Sequence, residues 1–181
     1  MILPVYTYGN VVLRKVAEPI DNNYPKLTEL INNMFETMVH AEGVGLAAPQ
    51  IGLTIRLIVI DFAPLKEDDP ELGSFKVTMI NPELLEVSEE EVPYEEGCLS
   101  IPGINETVIR PESIKISYLD EEFNQHTEIF DGYKARVVQH EYDHLEGHLF
   151  TDRVKPLRRQ LIKSKLTNIA KGKTSCKYKI K

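Results

Sequence analysis

Cysteine is scarce in this chain of 181 residues: Cys98 and Cys176 permit one disulfide at most, which excludes a disulfide-stapled scaffold. Long apolar runs are missing as well. The longest, around Gly43 to Ala48 and Leu57 to Ile60, fall far short of the roughly 20 residues a membrane span needs. The opening residues, Met1-Ile2-Leu3-Pro4-Val5, lack the basic region and apolar block of a secretion or transit signal, so the cytoplasm, the compartment of synthesis, is the expected location, with no membrane partner. Without export, free thiols or a metal ligand are the expected uses of cysteine. Apolar residues at 42% and charged residues at 27% are ordinary globular usage, which argues against a disordered or fibrous chain. Length alone favours a single domain over residues 1–181.

Acid is absent after Asp152. Residues 153–181 hold 11 Lys and Arg, which leaves ten basic against 28 acidic side chains, a net charge of −18, on residues 1–152. The plainest expectation is a solvated helix face followed by a frayed basic tail over about residues 166–181. A sharper one is contact with RNA on the ribosome, since phosphate recognition gives salt-sensitive affinity without sequence preference.

Leu27, Leu30, Ile31, Met34, Phe35 and Met38 recur at intervals of three and four, which predicts an amphipathic helix over Tyr24 to Ala41. Gly43, Gly45, Pro49 and Gly52 then interrupt regular structure. Short strands are expected at Thr54 to Asp61, Phe75 to Ile80, Leu84 to Ser88, Thr107 to Arg110, Ser113 to Leu119 and Thr127 to Phe130, with a surface loop from Pro64 to Ser74. A helix should run from Asp131 or Gly132 to about Glu146, stopped by Gly147, and a last one from about Val154 to Ala170 with Leu157, Leu161 and Ile162 on its core side. The fold class is therefore α+β: short antiparallel strands around the helix at 132–146, with an N-terminal and a C-terminal helix. Tyr94 to Ser100 reads as a turn.

That helix carries His140-Glu141-Tyr142-Asp143-His144, the pattern H-E-x-x-H, which is rare by chance in a chain with five histidines. Histidines at i and i+4 share one helix face, so both imidazoles can reach one metal ion, and the adjacent Glu141 is placed to carry a proton between water and a leaving group. A catalytic ion of this kind needs a third protein ligand and an open position. Phe150 stands where one metalloprotease class has its third histidine, and the absence of acid beyond Asp152 excludes another class that uses a later Glu. His148 follows the helix stop and reads as a surface or outer histidine. Cys98, in Glu96-Gly97-Cys98-Leu99-Ser100, is the remaining candidate. A lone cysteine is more often a small buried hydrophobe, but a two-histidine helix lacking a ligand favours a thiolate here.

Three separated segments, Gly43-Val44-Gly45-Leu46-Ala47-Ala48-Pro49-Gln50, Glu96-Gly97-Cys98-Leu99-Ser100 and Gln139-His140-Glu141-Tyr142-Asp143-His144, give the chain its resemblance to the peptide deformylases of bacteria and organelles over about residues 1–165. The resemblance implies hydrolysis of the N-formyl group from N-formylmethionyl nascent peptides, with release of formate; no homo-oligomer signal is readable in the sequence, so a monomer is expected. The resemblance further implies Cys98, His140 and His144 as metal ligands and Glu141 as general base and acid. Gln50, through its side-chain amide, and Leu99, through its backbone N–H, would donate to the developing oxyanion. Gly45 would present backbone to the peptide, and Val44 and Val137 would line a pocket for the methionine side chain. Glu96 is expected among the substrate-facing residues, with the head of Arg136 directed to Glu96 or to solvent.

The resemblance implies Fe(II) as the one divalent ion; thiolate and imidazole ligands would equally suit Zn, Ni or Co in purified protein. Two other readings compete. An unrelated H-E-x-x-H endopeptidase lacks its downstream ligand, and a silent peptide-binding relative with a structural metal would need neither Glu141 nor Gln50.

Overall fold

The computed structural model describes all 181 residues, Met1–Lys181. In chain order the regular elements are α1 (Leu27–His40), β1 (Gly45–Ala47), β2 (Leu57–Asp61), β3 (Lys76–Val87), β4 (Glu91–Cys98), β5 (Ile101–Pro111), β6 (Ser113–Leu119), β7 (Gln125–Asp131), α2 (Gly132–Leu145) and α3 (Pro156–Ala170). Strand pairing is antiparallel throughout. One sheet has the order β1-β2-β3-β6-β7, and β4 and β5 form a separate hairpin.

Strand β2 explains the continuous run Leu57 to Ile60: all four side chains are fully buried because both sheet faces are covered. Ile58 and Ile60 face α2 together with Met79, Ile116, Val138 and Leu145, while Leu57 and Val59 face α1 through Ile31, Met34 and Met38. A third cluster joins the hairpin to α3, with Ile104 and Val108 packed against Ile162, Leu166 and Ile169. Helix α2 thus lies between the sheet and the hairpin. It ends where expected: Gly147 has φ +74° and an added Cβ would sit 2.7 Å from the Arg14 carbonyl oxygen, so conformation and space both demand glycine.

Several expectations are corrected. The segments Phe75 to Ile80 and Leu84 to Ser88 belong to one bent strand, β3, whose register shifts between Ile80 and Glu83 and again between Leu84 and Glu86. Most of Tyr94 to Ser100 is strand β4; its run of Glu95, Glu96 and Gly97 hides the strand signal, and the turn is confined to Leu99 and Ser100. The interrupted stretch after Gly43 contains β1. On α3 the core stripe is Ile162, Leu166 and Ile169, whereas Leu157 and Leu161 are 71% and 64% exposed.

Nor is the basic tail frayed. After α3 the chain turns back, and Ile180 bridges Val5 in parallel. Val5 N–H donates to Lys179 O at 2.9 Å, Lys181 N–H to Val5 O at 2.8 Å, and Thr7 N–H to Lys181 O at 3.0 Å. No helix is long and apolar enough to cross a membrane.

Candidate metal centre

Helix α2 places His140 and His144 one turn apart on a buried face, and Cys98 reaches them from the end of β4. Cys98 Sγ lies 3.3 Å from His144 Nε2, and one donor atom from each of the three residues falls within 4.8 Å of the others. The other nitrogen of His140, Nδ1, faces Glu96 Oε2 at 3.4 Å, which leaves Nε2 free to coordinate. His144 Nδ1 and Glu141 Oε2 are buried without a partner in the chain. Buried polar atoms are rarely left so. One thiolate and two imidazoles beside an unpartnered carboxylate oxygen fit a catalytic divalent ion with an open position.

Below the donors lies a chain of buried charge. Arg110 Nε and Nη2 donate to Glu96 Oε1 and Oε2 at 2.7 and 3.0 Å, and its Nη1 donates to Asp143 Oδ2 at 2.7 Å. Arg153 closes the other side of Asp143 through bonds of 2.6 and 2.7 Å. Arg136 Nη1 donates to Glu96 Oε1 at 3.2 Å and to Val108 O at 3.0 Å. Burial opposes charge on Glu96, but His140 and Arg110 outweigh it and hold the carboxyl well below its usual range. Glu96 borders the cavity, and both its oxygens are held by Arg110, Arg136 and His140. Arg136 takes the first of its two expected directions.

Glu141 follows His140 on α2 and borders the same cavity. Burial pushes its carboxyl up to about 7, with the charge of Glu96 adding to the effect. Its Oε1 fills the space where a Cβ on Gly45 would lie, only 2.5 Å away. Glycine is needed there for the carboxylate's approach, a reason the sequence did not disclose. The Gln50 amide is fixed at both ends: Oε1 accepts from Ala47 N–H at 2.8 Å, and Nε2 points to Ser100 Oγ at 3.3 Å and Cys98 Sγ at 3.5 Å.

These groups open on a cavity of about 530 Å³ that also exposes Val44, Gly45 and Val137. All the sequence-derived site residues border this space except His144, which lies behind Cys98 and His140. His148 is exposed. Sequence reasoning missed Arg110, Asp143 and the segment Ser175 to Tyr178, which also lines the cavity. A signal for Arg110 existed: Ile104, Glu106, Val108 and Arg110 alternate on the buried face of β5, and a charged residue on such a face needs a buried partner.

A H-E-x-x-H helix with a cysteine and a buried glutamate beside a cleft has the donor set of a metallohydrolase centre. Residues 2–160 match the family described as polypeptide deformylase. The chain is 51% identical to a peptide deformylase of Christiangramia forsetii, covering all of this chain and 96% of the relative, and 50% identical to one of Flavobacterium johnsoniae with the same coverage. Among solved structures it is similar to peptide deformylase of Thermus thermophilus, with TM-score 0.84 and 39% identity over 95% of this chain and 99% of that one. The Thermotoga maritima enzyme gives TM-score 0.78 and 41% identity over 86% and 99%. The chain belongs to the polypeptide deformylase family, and its activity is the hydrolytic removal of the N-formyl group from nascent peptides.

Proposed function

We propose that the cavity over Cys98, His140 and His144 is the deformylation site and that its substrates are N-formylmethionyl peptides. The observation that carries this reading is the cluster of three donors within 4.8 Å beside Glu141, whose Oε2 has no partner. Cys98, His140 and His144 would hold one divalent ion, Fe(II) in the cell and Zn, Ni or Co as substitutes, supplying Lewis-acid polarisation of the formyl oxygen and a more acidic water.

Glu141 accepts a proton from the attacking water at its carboxylate. Attack on the formyl carbon turns the carbonyl oxygen into an oxyanion, to which Gln50 Nε2 and the Leu99 N–H donate; fixed donors of this kind contribute on the order of 3–4 kcal/mol each to acyl transfer. Glu141 then delivers the proton to the amine as the C–N bond breaks, leaving formate and a free N-terminus. Glu141 suits both halves of the cycle because it is buried beside the three donors with its Oε2 unpartnered, available to accept and return a proton.

Val44 and Val137 flank the space for the methionine side chain. Strand β1 is the outer strand of its sheet, so Gly45 offers backbone groups to which an extended peptide can add as a further strand. We read the chain as one domain organised around α2, acting as a monomer in the cytoplasm where nascent peptides emerge. Contact with ribosomal RNA through the basic face of α3 is part of the same proposal. Lys163 and Lys165 are both exposed on α3, on either side of its buried stripe. Lys163→Glu with Lys165→Glu should weaken co-sedimentation with ribosomes at low salt, and unchanged co-sedimentation would remove this contact.

Metal analysis after anaerobic purification tests the ligand set. Wild-type protein should carry about one divalent ion per chain and Cys98→Ser far less; equal loading would contradict thiolate ligation.

A further inference from the structure

We propose that the two ends of the chain form a clamp that holds the oxyanion donors in place, with Tyr178 as its positioning residue. The proposal rests on the deformylation-site reading above, and the C-terminal half of the clamp, Lys177 to Lys181, lies beyond the 2–160 family match.

Three backbone carbonyls around the donors are gripped by the chain ends, two from the N-terminal segment and one from Tyr178 at the cavity wall. Tyr6 N–H donates to Gln50 O at 2.7 Å, Tyr8 N–H to Ser100 O at 2.8 Å, and the Tyr178 hydroxyl to Leu99 O at 2.7 Å. Gln50 and Leu99 are the two proposed donors, and Ser100 Oγ accepts from Gln50 Nε2. The gripping segments are themselves tied together, since Val5 and Thr7 exchange hydrogen bonds with Lys179 and Lys181. Tyr178 is further braced by Lys177, whose Nζ meets the Glu42 carboxylate at 3.2 Å just after α1. Leu99 and Ser100 occupy the tip of the β4–β5 hairpin, between the paired residues Cys98 and Ile101. A two-residue tip has few bonds of its own, and here each of its carbonyls receives one from a chain end.

The mechanical consequence is specific. Catalytic donors act through preorganisation, and a displacement on the order of 1 Å can cost about 100-fold in rate. Cys98 ties one side of the tip to the metal centre; Tyr178 and Tyr8 tie the other. Of the three grips only that of Tyr178 comes from a side chain, so it can be removed without altering the backbone.

The test compares wild-type and Tyr178→Phe protein, both metal-loaded, with a formyl-Met-Ala-Ser peptide. Loss of one neutral hydrogen bond should lower kcat roughly 2- to 10-fold, with KM changed less than about twofold and metal content unchanged. Amide hydrogen exchange supplies a readout independent of turnover: residues 98–101 should exchange faster in the variant while α2 does not. Unaltered kcat and exchange would overturn the clamp, as would a rise in KM alone, which is the mark of a cavity wall. Exchange in wild-type protein decides independently of the variant's folding, because free exchange of the amides of the paired residues Cys98 and Ile101 there would also overturn it. Failure of the underlying reading looks different: wild-type protein would release no formate, or Gln50→Ala would keep its full kcat.

Discussion

Glu141 illustrates how one side chain's environment sets its chemistry. The helix delivers it to the face shared by His140, Gly45 leaves room for its Oε1, and burial raises its carboxyl to about 7. Glu141→Gln keeps the shape and removes the proton carrier, so formate release should fall roughly 10²–10⁴-fold with metal content unchanged; full activity with metal bound would refute the assignment. Arg110 carries a structural load of another kind. It is fully buried between Glu96 and Asp143, and Arg110→Ala would strand their charges without their central partner. Breaking such a pair costs about 3–5 kcal/mol, measurable by denaturant unfolding. At this scale the sequence pointed to Cys98, His140 and His144 as one group, because H-E-x-x-H is unusual in its spacing and cysteine is scarce, and the fold brings their donor atoms within 4.8 Å of one another. The sequence concealed the pairing of Glu96 with Arg110, which comes from a separate strand.

Among the elements, α2 was the most legible, since its motif, its start and its glycine stop all agree. Strand β4 was the least: only three-dimensional pairing with β5 shows that Glu95, Glu96 and Gly97 lie in an extended ladder. Helix α3 separates the two kinds of information. Periodicity places Leu157, Leu161 and Ile162 close together, yet the hairpin against which α3 packs selects Ile162, Leu166 and Ile169. Leu166→Ala should therefore cost about 2–5 kcal/mol, whereas Leu157→Ala and Leu161→Ala should stay within about 0.5 kcal/mol in chemical unfolding. Equal costs at the three positions would contradict this orientation.

For the whole molecule, charge asymmetry becomes folded structure and does not remain a loose tail. Arg14 donates to Asp152 at 2.5 and 3.1 Å, Arg158 grips Glu106, and residues 179–181 pair with the start of the chain. Composition could show that the segment was basic, but not which acids it would meet, because partners such as Arg158 with Glu106 and Lys177 with Glu42 are 52 and 135 positions apart. A pH dependence follows. Burial opposes charge on Asp143 and Asp152, yet Arg153 and Arg110 at the first, and Arg14 at the second, bring both carboxyls below their ordinary value of 3.8. Groups depressed in the folded state contribute stability that is complete above that value and disappears as pH falls through the folded values. Melting temperature should thus be maintained by these pairs down to about pH 5 and decline below pH 4; in Asp152→Asn the Asp152 share of that acid loss should vanish. The most direct test of the molecule's function is formate release from formyl-Met-Ala-Ser by anaerobically purified protein of known metal content, with acetyl-Met-Ala-Ser as control. Rapid release from the formyl peptide alone, in proportion to about one bound divalent ion, is the predicted result; bound metal without formate release would contradict it.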